Sequence, residues 1–285
     1  MKIRPILYIL IASTIIVALL LYAHLYTERI SNTRSLLVYT PPTMYPPISE
    51  YAEFFKRSSG VEVYIAVGPT GTLISKIDIT RKGDVLFTAD HVFMERAINM
   101  GIIERDSVRV VSYVIPAIIV HRGNPHNISD LQDLVNKQVR IGTADPEGAP
   151  FGRIAVEILK RAGVYDAVKD RLVIYTDVLV VARQLALKRV DVAILPYIVK
   201  YWYPGELDIV WIQASDLRGL VSCQLVGVVV FSEDKNLSRD FISSFRAWLR
   251  EKSSVLRYVV DLGDLAAFTP YDPRELEFPS ICLGE

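Results

Sequence analysis

The sequence holds only two cysteines, no net charge and no internal repeat, and its one biased tract is the proline-rich TPPTMYPP. Cys223 and Cys282 are too few for a disulfide scaffold or a zinc site, although a single bridge between them stays open. With 32 basic and 32 acidic residues, no field of one sign exists to draw in nucleic acid. The four histidines, His24, His91, His121 and His126, show no metal-ligand spacing, so no resident metal is expected. No Gly-x-Ser-x-Gly elbow occurs, and no Gly-Lys-Ser/Thr follows the glycines of GPTGT to make a P-loop. Asp145 and Glu147 stand two apart in a turn, where turn formation suits them better than acid/base work. An enzyme is therefore not expected.

What is present begins with an apolar amino terminus. After Lys2 and Arg4, residues 5–26 contain no Asp, Glu, Lys or Arg. As a helix they would rise about 33 Å, enough to cross a bilayer. The stretch ALLLYAHLY offers no small-x-small cleavage site and no lipidation cysteine follows, so an uncleaved anchor is expected. The positive-inside rule then places the remainder outside the cell, attached by a single pass.

Beyond residue 35, strand-like runs alternate with helical periods: SLLVYT, VEVYIAV and DVLFTA are each followed by a helix pattern, the rhythm of an α/β domain. Pro116 interrupts VRVVSYVIPAIIV, where a ladder hydrogen bond would be lost, so the chain is expected to leave one sheet there and enter another. A second α/β series follows, with helices expected near 129–135, 151–162 and 179–188, and two helical stretches near 238–252 and 254–261 close the chain. The organisation expected is an anchor and linker (1–35), a first lobe (36–114 with 219–285) and a second lobe (115–218), joined by two connecting strands.

Four strand-to-helix junctions share a character. Helix openings carry unpaired N–H groups and a positive partial charge, which suits anions. Thr43 lies in TPPTMYPP, Thr70 and Gly71 lie in GPTGT, Phe151 opens a helix after ADPEGAP, and Val178 follows Asp177, a plausible N-cap. Taken singly, each reads as ordinary capping. Two junctions fall in each expected lobe.

The segments LLVYTPPTM, VGPTGTLISKI, GDVLFTADHVFMERAINMGII, GNPHNISDLQDL and LVGVVVFSEDKN, in this order and spacing, resemble the molybdate/tungstate-binding proteins of ABC importers, within the type II periplasmic binding protein fold. The resemblance implies an α/β, two-lobed fold holding molybdate or tungstate as cargo, with no cofactor. It implies that Thr43 and Thr70 replace two serines that bind the anion. Phe151 and Val178 would offer N–H groups, and Tyr197 a phenol hydroxyl, with one residue of slack in the alignment around AILPYIVKY. Ala149 and Pro196 stand where some relatives carry metal-binding carboxylates, so tetrahedral, hydrogen-bonded capture is implied. A monomer working with membrane permease subunits follows from the same resemblance. The same cleft could instead hold sulfate, phosphate or a small organic anion, or serve a tethered sensor.

Overall fold

The computed structural model describes residues 14–22 and 34–283. Two five-stranded sheets organise it. The first contains β1 (Ser35–Thr40), β2 (Glu62–Val67), β3 (Val85–Thr88), β4 (Arg109–Val114) and β10 (Ser222–Val228), in the order β2-β1-β3-β10-β4. The second contains β5 (Pro116–His121), β6 (Ile141–Ala144), β7 (Leu172–Tyr175), β8 (Val192–Pro196) and β9 (Leu207–Val210), in the order β7-β6-β8-β5-β9. Strands β1, β2 and β3 run parallel, as do β6, β7 and β8, while β10 and β5 are antiparallel to their neighbours.

The central strands are buried along their whole length, β3 as VLFT and β5 as PAIIVH. Continuous apolar runs of this kind suit sheets covered on both faces by helices. The longer helices are α1 (Tyr45–Ser59), α2 (Thr70–Thr80), α3 (His91–Asn99), α4 (Pro150–Arg161), α5 (Val178–Ala186) and α6 (Lys235–Leu256). Tyr51 of α1 meets Phe241, Phe245 and Trp248 of α6 at ring-centroid distances of 5.2–5.4 Å, which clamps the two helices together over the first sheet.

The chain passes between sheets at Ile115. Pro116 opens β5 opposite Pro196, the last residue of β8, so both prolines sit at strand ends where a missing N–H is tolerated. It returns through β10, and Cys223 of that strand is bridged to Cys282.

Two local expectations need correction. The helix placed near 129–135 is only Asp133–Asn136, because Asp133 accepts from Ser129 N–H and Asp130 accepts from Asp133 N–H, which holds the preceding segment as a capped turn. The closing helices near 238–252 and 254–261 are instead one helix, α6, which stops where Arg257 turns left-handed (φ 64°) and Val259 bridges to Tyr113.

Among the described residues no helix is long and apolar enough to cross a membrane. Of the expected anchor, residues 14–22 are helical and the rest lies outside the described residues.

Candidate functional site

Five chain segments converge on one small cavity between the lobes, one of them contributing only Ala89, just after β3. Thr43 sits in a 3-10 turn (Pro42–Met44) after β1, and Thr70 opens α2 after β2. From the second sheet, Pro150 and Phe151 open α4 after β6, and Asp177 and Val178 open α5 after β7. The cavity volume is about 20 Å³. One water requires roughly 10–15 Å³ on this measure, so the space admits a water-sized group or a small ion.

Its chemistry is that of unpaired donors. Neither α2 nor α4 has a side-chain N-cap, since Pro69 and Ala149 occupy those positions. In α4, Pro150 has no N–H and Gly152 N–H donates to Ala149 O at 3.0 Å, so the Phe151 N–H remains for a ligand beside the opening N–H groups of α2. Thr70 is fully buried, and its Oγ1 accepts from Ala89 N–H at 3.3 Å, which leaves the hydroxyl hydrogen to donate. Thr43 is 2% exposed and its Oγ1 accepts from Gln224 Nε2, whose Oε1 in turn accepts from Ser112 Oγ at 2.7 Å. That chain of donors, rooted in β4 and β10, again leaves the threonine hydroxyl hydrogen free to donate. Asp177 brings the one carboxylate to the lining, but its Oδ1 accepts from Leu179 N–H (2.8 Å) and Val180 N–H (3.0 Å), as its own helix cap. Among the described residues no Lys, Arg or His lines the space.

The structure thus brings Thr43, Thr70, Phe151 and Val178 together. Gly71 does not line the cavity: it lies at the lobe contact, where an added Cβ would stand 3.0 Å from Phe93 Cε1 and 3.4 Å from Gly148 O. Tyr197 does not line it either, but borders a neighbouring cavity of about 10 Å³ together with Thr43 and Gln224. It begins the 3-10 turn after β8, its ring packs against Tyr201 and Trp211, and its hydroxyl donates to the Arg257 carbonyl. Burial drives its pKa far up, so it stays a neutral structural phenol.

Sequence reasoning missed the prolines as lining groups. Pro41, Pro42, Pro69 and Pro150 all face the cavity, and each fixes φ while contributing no N–H of its own. Their visible signal was placement at or just before helix starts. Also missed was a pair beside the site: Arg153 Nη2 of α4 lies 2.6 Å from Oδ2 of Asp90, a carboxylate with no exposure that caps α3 through Phe93 N–H. It ties one lobe to the other.

His91, next to Asp90, places Nδ1 2.9 Å from Ser222 Oγ. Burial lowers its pKa below 6.5, opposed by Asp90 and Glu95 and reinforced by Arg153. A folded pKa below the unfolded one means that the unfolded chain binds more protons in between. This contribution to stability is complete above pH 6.5 and is lost as pH falls toward the folded value. Melting curves between pH 7.5 and 5 should show that slope, and His91→Gln should remove this part of it.

A family model described as bacterial extracellular solute-binding protein matches residues 36–245. The molybdate-binding protein ModA of Rhodobacter capsulatus is 25% identical over 128 residues, covering 45% of this chain and 50% of that protein. The chain spans about half the length of the curated relatives it matches. Among solved structures, the periplasmic molybdate-binding protein of Azotobacter vinelandii aligns with a TM-score of 0.66 at 18% identity, over 79% of this chain and 99% of that one. The sulfate-binding protein SubI of Mycobacterium tuberculosis aligns with a TM-score of 0.70 at 14% identity, over 86% and 93%. Both likenesses concern the fold.

Proposed function

Because the chain belongs to the bacterial extracellular solute-binding proteins, we propose that it captures a tetrahedral oxyanion, molybdate or tungstate, between its lobes and delivers it to the membrane permease of an ABC importer. One observation carries this reading: strand-to-helix junctions from both sheets line a single cavity of about 20 Å³. N–H and hydroxyl donors hold a dianion through charge-assisted bonds without a fixed cation, so the ion can be released again. A singly protonated phosphate would need an acceptor for its O–H; on the lining carboxylate Oδ1 is taken up by its own helix and Oδ2 accepts from Thr176 Oγ1 at 3.3 Å. A fully ionised anion has no such need.

Donors from residues 36–114 and from 115–218 are both required, so the anion stabilises the closed arrangement, and closure is what a permease could recognise. The apolar amino terminus serves as the anchor. Ile15, Val17, Leu19 and Leu21 are each more than half exposed on the described helical residues, which suits a lipid environment. Anchoring keeps a monomeric receptor at high effective concentration near its permease, outside the cell.

Calorimetry on the full chain in neutral detergent, titrated with molybdate, tungstate, sulfate and phosphate, tests the reading. Molybdate or tungstate should bind most tightly, and Thr70→Val should weaken binding by about ten- to a hundredfold through loss of one charge-assisted hydrogen bond. If the four anions give no heat while a small organic acid does, the cargo assignment fails. Tightest binding of sulfate would move the cargo to that ion.

A further inference from the structure

A second cavity, of about 610 Å³, shares no residue with the interlobe site. It lies along β4, the edge strand of the first sheet, under the carboxyl-terminal segment. Arg105, Arg109 and Arg246 line it with no Asp or Glu among the lining residues, while Ile98, Val108, Val110, Leu225, Ile281 and Leu283 supply an apolar wall. We propose that this cavity binds a phosphate ester bearing an apolar group, taken either as a free phosphomonoester or as an anionic phospholipid headgroup.

The charge balance supports this. The chain as a whole is neutral, yet the neighbouring carboxylates are committed away from these arginines: Glu104 pairs with Lys235 and Arg239, Asp106 with Arg239, and Asp261 with Arg250. Among the described residues, none of the three arginines has a carboxylate within ion-pair distance. Instead backbone carbonyls fix two of them. Arg109 Nη1 donates to Asp106 O and Val108 O, both at 2.8 Å, and Arg246 Nε donates to Val110 O at 2.8 Å. Each of these guanidiniums keeps further N–H groups for a ligand, in the planar fork that matches phosphate oxygens. Arg246 is half-buried, and burial together with Arg109 and Arg250 lowers its pKa, the mark of a cation lacking an anion.

The apolar wall decides between a bare ion and an ester. Its outer lip is built, since Cys282 is bridged to Cys223 and its carbonyl accepts from Tyr113 Oη at 3.0 Å, while the Tyr113 ring meets Phe278 at 5.2 Å. A volume of this size matches small-molecule sites and exceeds what inorganic phosphate would fill. An ester covers the wall and meets the arginines together.

The test is calorimetry on the full chain in neutral detergent with saturating molybdate, using phenyl phosphate, inorganic phosphate and monomeric dihexanoylphosphatidylglycerol as probes. Phenyl phosphate should bind at least about tenfold more tightly than inorganic phosphate, and Arg246→Lys and the exposed Arg109→Gln should each weaken it about tenfold. Molybdate affinity should not change in these variants, and the arginine dependence would stand even if molybdate failed to bind. Displacement of phenyl phosphate by the lipid, and not by dihexanoylphosphatidylcholine, identifies a headgroup; absence of displacement identifies a free phosphomonoester. The proposal is overturned if phenyl phosphate does not bind, if it binds no better than inorganic phosphate, or if folded Arg109→Gln protein binds it unchanged.

Discussion

Arg153→Ala is expected to weaken anion capture by about a hundredfold, a cost of about 3 kcal/mol, while Asp90→Asn costs less than half of that. The asymmetry follows from burial. Asp90 has no exposure, so removing its guanidinium partner strands a carboxylate in the closed interface. Arg153 is 36% exposed, which places the cost at the low end of the range for broken buried pairs and lets the arginine rehydrate when Asp90 is neutralised. Its Nε is already buried without a partner, so the pair is incompletely satisfied as it stands. Asn remains a competent cap for α3, preserving the bond that Asp90 Oδ1 makes to Phe93 N–H. Because the pair spans the two lobes, the Arg153→Ala penalty falls on closure: opening returns Asp90 to water. Molybdate titration should show the affinity loss, and small-angle scattering should show a larger radius of gyration for ligand-free Arg153→Ala than for wild type. Equal losses from the two substitutions would refute the assignment of the cost to a stranded carboxylate.

That pair also marks where reading the sequence stops. Thr43, Thr70, Phe151 and Val178 were legible because a strand end followed by a helix start is a local pattern, and an α/β sheet gathers such ends on one side. Tyr197 was not, because its placement depends on register at a strand end, where a shift of one residue turns a side chain to the opposite face. Asp90 carried no signal of its own in the sequence, because its partner is 63 residues away and no spacing rule connects them. Zero net charge likewise hid the three arginines, since their compensation fails locally while the total balances. The extent of α6 was obscured by its polar last turns, which carry no apolar period strong enough to show that one helix continues.

Gly152→Ala is expected to reduce stability by about 3 kcal/mol and to weaken molybdate binding by more than about a hundredfold, a far larger effect than a single methyl normally has in the first turn of a helix. A Cβ at this position would stand 2.3 Å from the Ala144 carbonyl oxygen and 2.5 Å from both the carbonyl carbon and oxygen of Asp145. Those are backbone atoms at the end of β6, so no side-chain rotation relieves the contact, and the opening of α4 must move away from the strand. The turn cannot absorb the shift freely, because Asp145 N–H donates to Tyr175 O of β7 and Ala149 N–H donates to Asp145 O. The displaced groups are Pro150 and Phe151, one wall of a cavity of about 20 Å³, in which even a small movement exceeds the tolerance of a hydrogen bond. Gly71→Ala provides the comparison. Its Cβ would meet the ring edge of Phe93 at 3.0 Å, a side chain that can yield, so a loss of about tenfold or less is expected. Thermal unfolding and calorimetry on the two variants separate a fold defect from a site defect. If Gly152→Ala protein is destabilised but binds molybdate as wild type does, the opening of α4 is not part of the binding site.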